Sequence, residues 1–276
     1  MQEEDMAEPT FRERGRSGAP LLGTFCAIPH PVAVEVTARA GFDLVCIDWE
    51  HSQIDRGEIE NLVRAAESGG AVAMVRVPGN NSEAIAAALD AGAEGVLVPR
   101  VSSAEEAEAA VRATRYPPDG ERGAGPGRAS RYGYDIAPYV AAANGKILLA
   151  VQVETARAVE NIDAIAAVEG VDLVFIGPGD LAVSLGAFGP DGAERLDVAM
   201  RRVIASCKKA GRAIGLFRPS ASDVATWREA GVSFFIVASD TMFLGASAAD
   251  AAKASASAAP GAGRAQQAGR AGKGRS

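Results

Sequence analysis

The chain is short of the residues that most protein classes depend on: two histidines, three cysteines, few aromatics and an excess of acid over base among 276 residues. Each shortage excludes something. Cys26, Cys46 and Cys207 are odd in number and widely spaced, and two of them lie within apolar runs, so they read as buried reduced thiols rather than a disulfide framework. The formal net charge of −7 leaves no basic field for nucleic acid. No apolar run approaches the roughly 20 residues that cross a bilayer. The opening MQEEDMAEPTFRERGRSG is charged where a secretory signal would be apolar. The expectation is a cytoplasmic protein with neither a membrane nor a nucleic-acid partner.

What the chain does have is Ala, Val, Ile and Gly, with 48% of its residues apolar. Composition of this kind suits helices packed on buried, β-branched strands. Residues 1–19 and 258–276 are polar, charged or Gly/Ala/Arg-rich and offer no face to bury, so both are expected to be disordered. Between them, residues 20–257 form one domain in which a short β-branched run precedes a longer Ala-rich helical pattern, repeatedly. Strands are predicted at Leu21–Ala27, Phe42–Asp48, Val72–Val77, Gly95–Pro99, Ile147–Glu154, Leu173–Gly177, Ala213–Phe217 and Phe234–Ala238. AGF, AGA, AGR and AGV turns close several of the intervening helices and lead into the next strand. Eight such units closing on themselves give an α/β fold, a (β/α)8 barrel of about 250 residues. An open doubly wound sheet is the runner-up. Against it, no GxGxxG follows the first strand, and polar residues appear at many strand ends rather than at one switch point.

In a barrel, the C-terminal strand ends converge on one mouth. Here they carry Asp48, Glu50 and His51 in VCIDWEHSQ, Arg76 in AMVRVPGNN, Gln152 and Glu154 in ILLAVQVET, and Asp180 in FIGPGDLAVSLG. Oxygen donors with so little His and Cys suggest a hard divalent ion, Mg²⁺ or Mn²⁺, on the two carboxylates Glu154 and Asp180. Glu154 could instead cap the next helix, and Asp180 could be a plain N-cap. Gly177, Pro178 and Gly179 form a tight turn whose free N–H groups could hold a carboxylate or phosphate. Arg76 is a cation within a buried strand that needs an anion, either a substrate oxyanion or Glu50. Asp48, three residues before His51, could fix the imidazole tautomer. His30, in AIPHPV, is a turn residue or a substrate contact. The segment Tyr116 to Tyr134, with Arg122, Gly123 and Arg128, is an anion-friendly lid or a disordered loop.

These residues resemble a known family, the metal-dependent (class II) pyruvate aldolases of the 4-hydroxy-2-oxoheptanedioate and 2-keto-3-deoxyglucarate type, with citrate lyase β-subunits as distant relatives. The resemblance rests on AGFDLVCIDWEH, VRVPGNN, DAGAEGVLVPRVSSAEEAEAAVRATRYPPDGERG, VQVETARAVENIDAIAAVEGVDLVFIGPGDLAVSLG and AGVSFFIVASDTMFL. It implies a pyruvate-binding (β/α)8 barrel, assembled as a hexamer from a trimer of dimers. It also implies a divalent cofactor, Mg²⁺, Mn²⁺ or Co²⁺, on Glu154 and Asp180, with Gln152 beside it. His51 with Asp48 would be the base, Arg76 would steady the enolate, and Asp90 would reach a neighbouring subunit. The implied reaction cleaves or forms a 4-hydroxy-2-oxo acid, giving pyruvate and an aldehyde. Its alternative is a condensing, citrate-synthase-like reaction on oxaloacetate. No lysine occurs before Lys146, which precedes its strand, the wrong end for a Schiff base. Trp49 and strand one, GTFCAIPHP, depart from the family pattern where an aldehyde would be received.

Overall fold

The computed structural model describes residues 8–258. Its eight strands are β1 (Leu21–Cys26), β2 (Leu44–Asp48), β3 (Val72–Arg76), β4 (Gly95–Val98), β5 (Leu148–Val153), β6 (Leu173–Ile176), β7 (Ala213–Arg218) and β8 (Phe234–Ser239). They close in chain order into a parallel barrel, with β8 pairing β1. A register shift between Gly23 and Phe25 marks that seam.

Alternation within each strand separates two apolar layers. Val45 and Ile47, Val96 and Val98, and Val151 and Val153 point outward into the layer shared with the helices. Leu44, Cys46, Met74, Leu97, Leu148, Ala150, Leu173 and Phe175 fill the interior. The barrel is therefore packed through its lower part, and ligands can enter only where the inward positions turn polar. All three cysteines are free and buried.

Several helices differ from expectation. The Ala-rich pattern of Ala156–Val168 predicts one helix, and it is broken at Asn161 into Ala156–Glu160 and Ile162–Ala167. A further helix forms at Ile136–Lys146, and Pro178–Ser184 is the helix that opens on the Gly177–Gly179 turn. The largest correction is at the start. Within the segment expected to be disordered, residues 11–16 form a helix with a Thr10–Glu13 capping box. Six residues do not hold a helix by themselves; tertiary contacts do. Phe11 is buried in the interior layer beside Phe234, and Gly15 sits so close to Leu148 that an added Cβ would lie 2.1 Å from its Cδ1. This helix plugs the N-terminal end of the barrel. Residues 1–7 and 259–276 lie outside the described residues, and the expectations for them stay untested.

The plug is held by one buried carboxylate. Asp172 accepts from Arg12 Nε at 2.8 Å, Arg115 Nη2 at 2.9 Å and the Leu149 amide at 3.0 Å. Removing it would leave the buried Arg115 guanidinium without its anion, which costs about 3–5 kcal/mol. Asp172→Ala is expected to lower the free energy of denaturant unfolding by that amount, and a change below about 1 kcal/mol would discount the hub.

The segment after Tyr116 is not a lid. Arg122 Nη2 binds Asp90 at 2.7 Å, and Arg128 Nη1 binds Glu67 at 3.0 Å. Both acids lie at the C-terminal ends of the helices Ser82–Asp90 and Arg56–Gly69, away from the strand C termini. The helix Asp240–Ala258 leads into a second compact unit that begins at Met242. No helix among the described residues is long and apolar enough to cross a membrane.

Candidate active site

The inward parity that buries Cys46, Met74 and Ala150 continues upward to Asp48, Arg76 and Gln152 at the strand ends. Asp48 and Arg76 are register partners across β2 and β3. Their side chains form a bidentate pair, Nε to Oδ1 at 2.9 Å and Nη2 to Oδ2 at 2.7 Å. The Arg76 guanidinium also lies over Phe25, 4.2 Å from the ring centroid. Burial alone would lower the Arg76 pKa, but the hydrogen bonds and charge of Asp48 reverse this and hold it above its ordinary value. Nη1 makes no hydrogen bond among the described residues.

This pairing changes the role expected of Asp48. Its Oδ1 accepts from the backbone amide of His51 at 3.1 Å, not from the imidazole. The ring instead faces Glu50, with Nε2 to Oε2 at 3.4 Å. Sequence spacing offers His51 both acids; the register of Arg76 takes Asp48 and leaves Glu50. The Glu50 side chain is 4% exposed, yet neither of its oxygens has a hydrogen-bond partner among the described residues. Arg76 Nε at 3.6 Å and Arg100 Nε at 3.5 Å are its nearest cations besides His51. Burial pushes its carboxyl above the usual range, and Arg76 and Arg100 only partly offset that.

Across the mouth, Glu154 is buried and accepts from Gln152 Nε2 and from the Arg100 amide at 2.7 Å. It makes no ion pair with any described Arg or Lys. Burial raises its pKa, the two hydrogen bonds oppose the rise, and the charges of Glu50 and Asp180 add to it. Gln152 Oε1 is buried without a partner. A Cβ on Gly177 would lie 2.9 Å from Glu154 Oε2, so only glycine leaves the space beside this carboxylate open. Pro178 opens the next helix, and the amides of Gly179 and Asp180 find no acceptor among the described residues. Asp180 is exposed on that first turn.

These residues fit a divalent cation. Glu50, Glu154 and Asp180 repel one another, Glu154 has no cationic side chain to neutralise it, and the donors are all oxygen. Among the described residues no group of three or more His, Cys, Asp or Glu could hold an ion unaided. Gln152, water and substrate oxygens must complete any shell.

Three expected contacts sit elsewhere. His30 caps the helix Pro31–Ala38, its Nδ1 accepting from the Val32 amide at 3.2 Å. Trp49 follows Asp48 on the outward parity, packs against the outer apolar layer and borders a surface hollow with Pro78 and Gly79; the alternation of β2 thus corrects its expected place in the mouth. Asp90, half-buried, is held by Arg122. Two residues were missed by the sequence reading. Asp240 accepts from the Ala27 and Ile28 amides, each at 3.0 Å, tying the loop after β1 to the end of β8. Arg100 has φ of 57° and supplies the amide on Glu154. Only a left-handed residue puts that amide there, and nothing in VLVPRVSS signals one.

Known proteins resemble this chain over most of its length. The family model for HpcH/HpaI aldolase/citrate lyase matches residues 21–246. A 4-hydroxy-2-oxovalerate aldolase of Novosphingobium aromaticivorans is 44% identical over 207 residues, covering 73% of this chain and 79% of that one. A hydroxypyruvate/pyruvate aldolase of Paraburkholderia phytofirmans is 38% identical over 241 residues, covering 85% and 92%. The crystal structure of an HpcH/HpaI aldolase/citrate lyase family protein from Burkholderia cenocepacia superposes with a TM-score of 0.84 at 36% identity, covering 88% and 98%.

Proposed function

The chain belongs to the HpcH/HpaI aldolase/citrate lyase family and is a carbon–carbon lyase, and we propose that it cleaves or forms a 4-hydroxy-2-oxo acid, with pyruvate as one product and an aldehyde as the other. The observation that carries the reading is Glu154, a buried carboxylate with no cationic side chain beside it and two acidic neighbours. Such a group needs a cation, and the oxygen donors Glu154, Asp180 and Gln152 would hold Mg²⁺, Mn²⁺ or Co²⁺. When bound, the ion supplies Lewis-acid stabilisation of the oxo-acid oxygen that gains charge as the C3–C4 bond breaks.

The remaining work falls to the chain. The amides of Gly179 and Asp180 receive the substrate carboxylate, and Gly177 leaves it room. Arg76, fixed by Asp48 and Phe25, directs Nη1 at the developing oxyanion. His51 takes the proton of the C4 hydroxyl, the C3–C4 bond breaks, the aldehyde leaves, and His51 returns its proton to C3 to give pyruvate. Glu50 is the carboxylate nearest the imidazole and steadies its charged form. We place the enzyme in the cytoplasm, as a hexamer built from a trimer of dimers, with Asp90 directed by Arg122 toward a neighbouring subunit.

The test is exchange of the pyruvate methyl protons in deuterium oxide with each ion, followed by a panel of aldehydes. Exchange should need the ion and should fall on the order of 10²-fold or more in His51→Ala. Equal exchange in His51→Ala and the unmodified enzyme would remove His51 as the base. Oxaloacetate decarboxylation with no pyruvate exchange would favour the condensing alternative.

A further inference from the structure

We propose that Arg100 is the specificity-determining residue for the second substrate, its guanidinium leaving Glu50 to bind an anionic group, carboxylate or phosphate ester, on the aldehyde. The inference rests on the aldol reading above and adds the chemical class of the aldehyde.

The backbone is the first argument. Arg100 lies in the left-handed region at φ of 57°, which costs a non-glycine residue about 1–2 kcal/mol. The strain serves its amide, which reaches Glu154 Oε1 at 2.7 Å. Glycine would supply that amide without strain, so the amide does not account for the side chain. That side chain is 69% exposed and makes no hydrogen bond among the described residues. Its one ion-pair partner among the described residues is Glu50 Oε1, 3.5 Å from Nε and without a hydrogen bond.

Charge is the second argument. Other arginines at the strand ends are committed: Arg76 to Asp48, and Arg218 to Asp223 with Nε to Oδ1 at 2.9 Å. Arg100 keeps its whole fork of donors, the geometry that matches carboxylate and phosphate oxygens. Because its amide binds Glu154 and its Nε lies 3.5 Å from Glu50, the residue stands across the mouth between the two carboxylates, beside the place proposed for pyruvate. Releasing Glu50 does not strand that carboxylate, since Arg76 remains 3.6 Å away. With the proposed divalent ion offsetting Glu154 and Asp180, Glu50 is the acid left to repel an anionic aldehyde, and Arg100 is the exposed cation set against it.

The bland alternative is that Arg100 only neutralises Glu50, and the two roles separate in a selectivity measurement. kcat/KM is compared for succinic semialdehyde against butanal and for glyceraldehyde 3-phosphate against glyceraldehyde, each condensed with pyruvate. The unmodified enzyme should prefer the anionic member of one pair, which identifies the group as carboxylate or phosphate. In Arg100→Gln the anionic-over-neutral ratio should fall about tenfold or more, through KM, with Arg100→Lys recovering part of it. Arg100→Gly, which keeps the amide and relieves the strain, should show the same loss. Equal losses on both members, or no preference by the unmodified enzyme in either pair, overturn the inference. Pyruvate proton exchange involves no aldehyde and reports the underlying reading by itself. Its absence from the unmodified enzyme defeats the aldol assignment, whereas exchange with an unaltered ratio in Arg100→Gln defeats only the role of Arg100.

Discussion

Glu154→Gln is expected to lower kcat on the order of 10³-fold, about 4 kcal/mol of transition-state stabilisation, while making the ion-free protein more stable. The two changes have one cause. Gln keeps the shape and can still accept from the Arg100 amide, but it removes the charge that burial and the neighbours Glu50 and Asp180 penalise. The folded-state pKa of Glu154 lies above its ordinary value of 4.5, so the folded protein holds the proton more tightly than the unfolded chain does. The penalty is therefore absent below the ordinary carboxylate range and grows as pH rises through the folded value. In chelator, the variant should melt above wild type at neutral pH, by about 2–4 °C for each kcal/mol relieved, and the gap should close on acidification below the ordinary range. A divalent ion should reverse the order, raising the Tm of wild type by mass action and leaving the variant little changed. Undiminished turnover in Glu154→Gln, or a Tm gap insensitive to pH and ion, would sink the metal assignment.

Residues that act through strand parity were legible in the sequence, and residues that act through contacts distant in sequence were not. Asp48, Arg76, Gln152 and Glu154 end apolar alternating runs, and a barrel brings all inward strand ends to one mouth. Counting by two along β2 also puts Trp49 on the outer face, so its expected place in the mouth lapsed on the same rule that placed Asp48. The partner of His51 was not countable. Spacing offered Asp48 and Glu50 alike, and the choice depends on the pairing of Asp48 with Arg76, a matter of register between strands. The helix over residues 11–16 is a similar case: too short to persist alone, it exists because Phe11 enters the barrel and Arg12 finds Asp172. Arg100 was hidden for a different reason. Arginine carries no preference for the left-handed conformation that places its amide on Glu154.

Arg76→Met should abolish turnover and cost about 3–5 kcal/mol of stability, because it leaves Asp48 buried without its cation and Glu50 with less compensation. Measured alone, that variant would not distinguish an arginine that serves the substrate from one that only holds Asp48. The double variant Arg76→Met, Asp48→Asn does distinguish them. Asn cannot ionise, Met retains contact with the Phe25 ring, and exchanging a buried ion pair for uncharged groups of similar size is often neutral in stability. Denaturant unfolding should therefore return to within about 1–2 kcal/mol of wild type. Pyruvate proton exchange should remain lost, since Nη1, the one guanidinium nitrogen with no hydrogen bond to Asp48, is absent from both variants. Recovery of exchange together with stability would make Arg76 a structural partner of Asp48 and move the oxyanion role elsewhere. Recovery of stability alone would leave Asp48 as the residue that positions Arg76, with His51 answering to Glu50. Glu50→Gln, which leaves the Asp48–Arg76 pair intact, should then shift the pH profile of exchange, and Asp48→Asn in its place should chiefly lower the maximum.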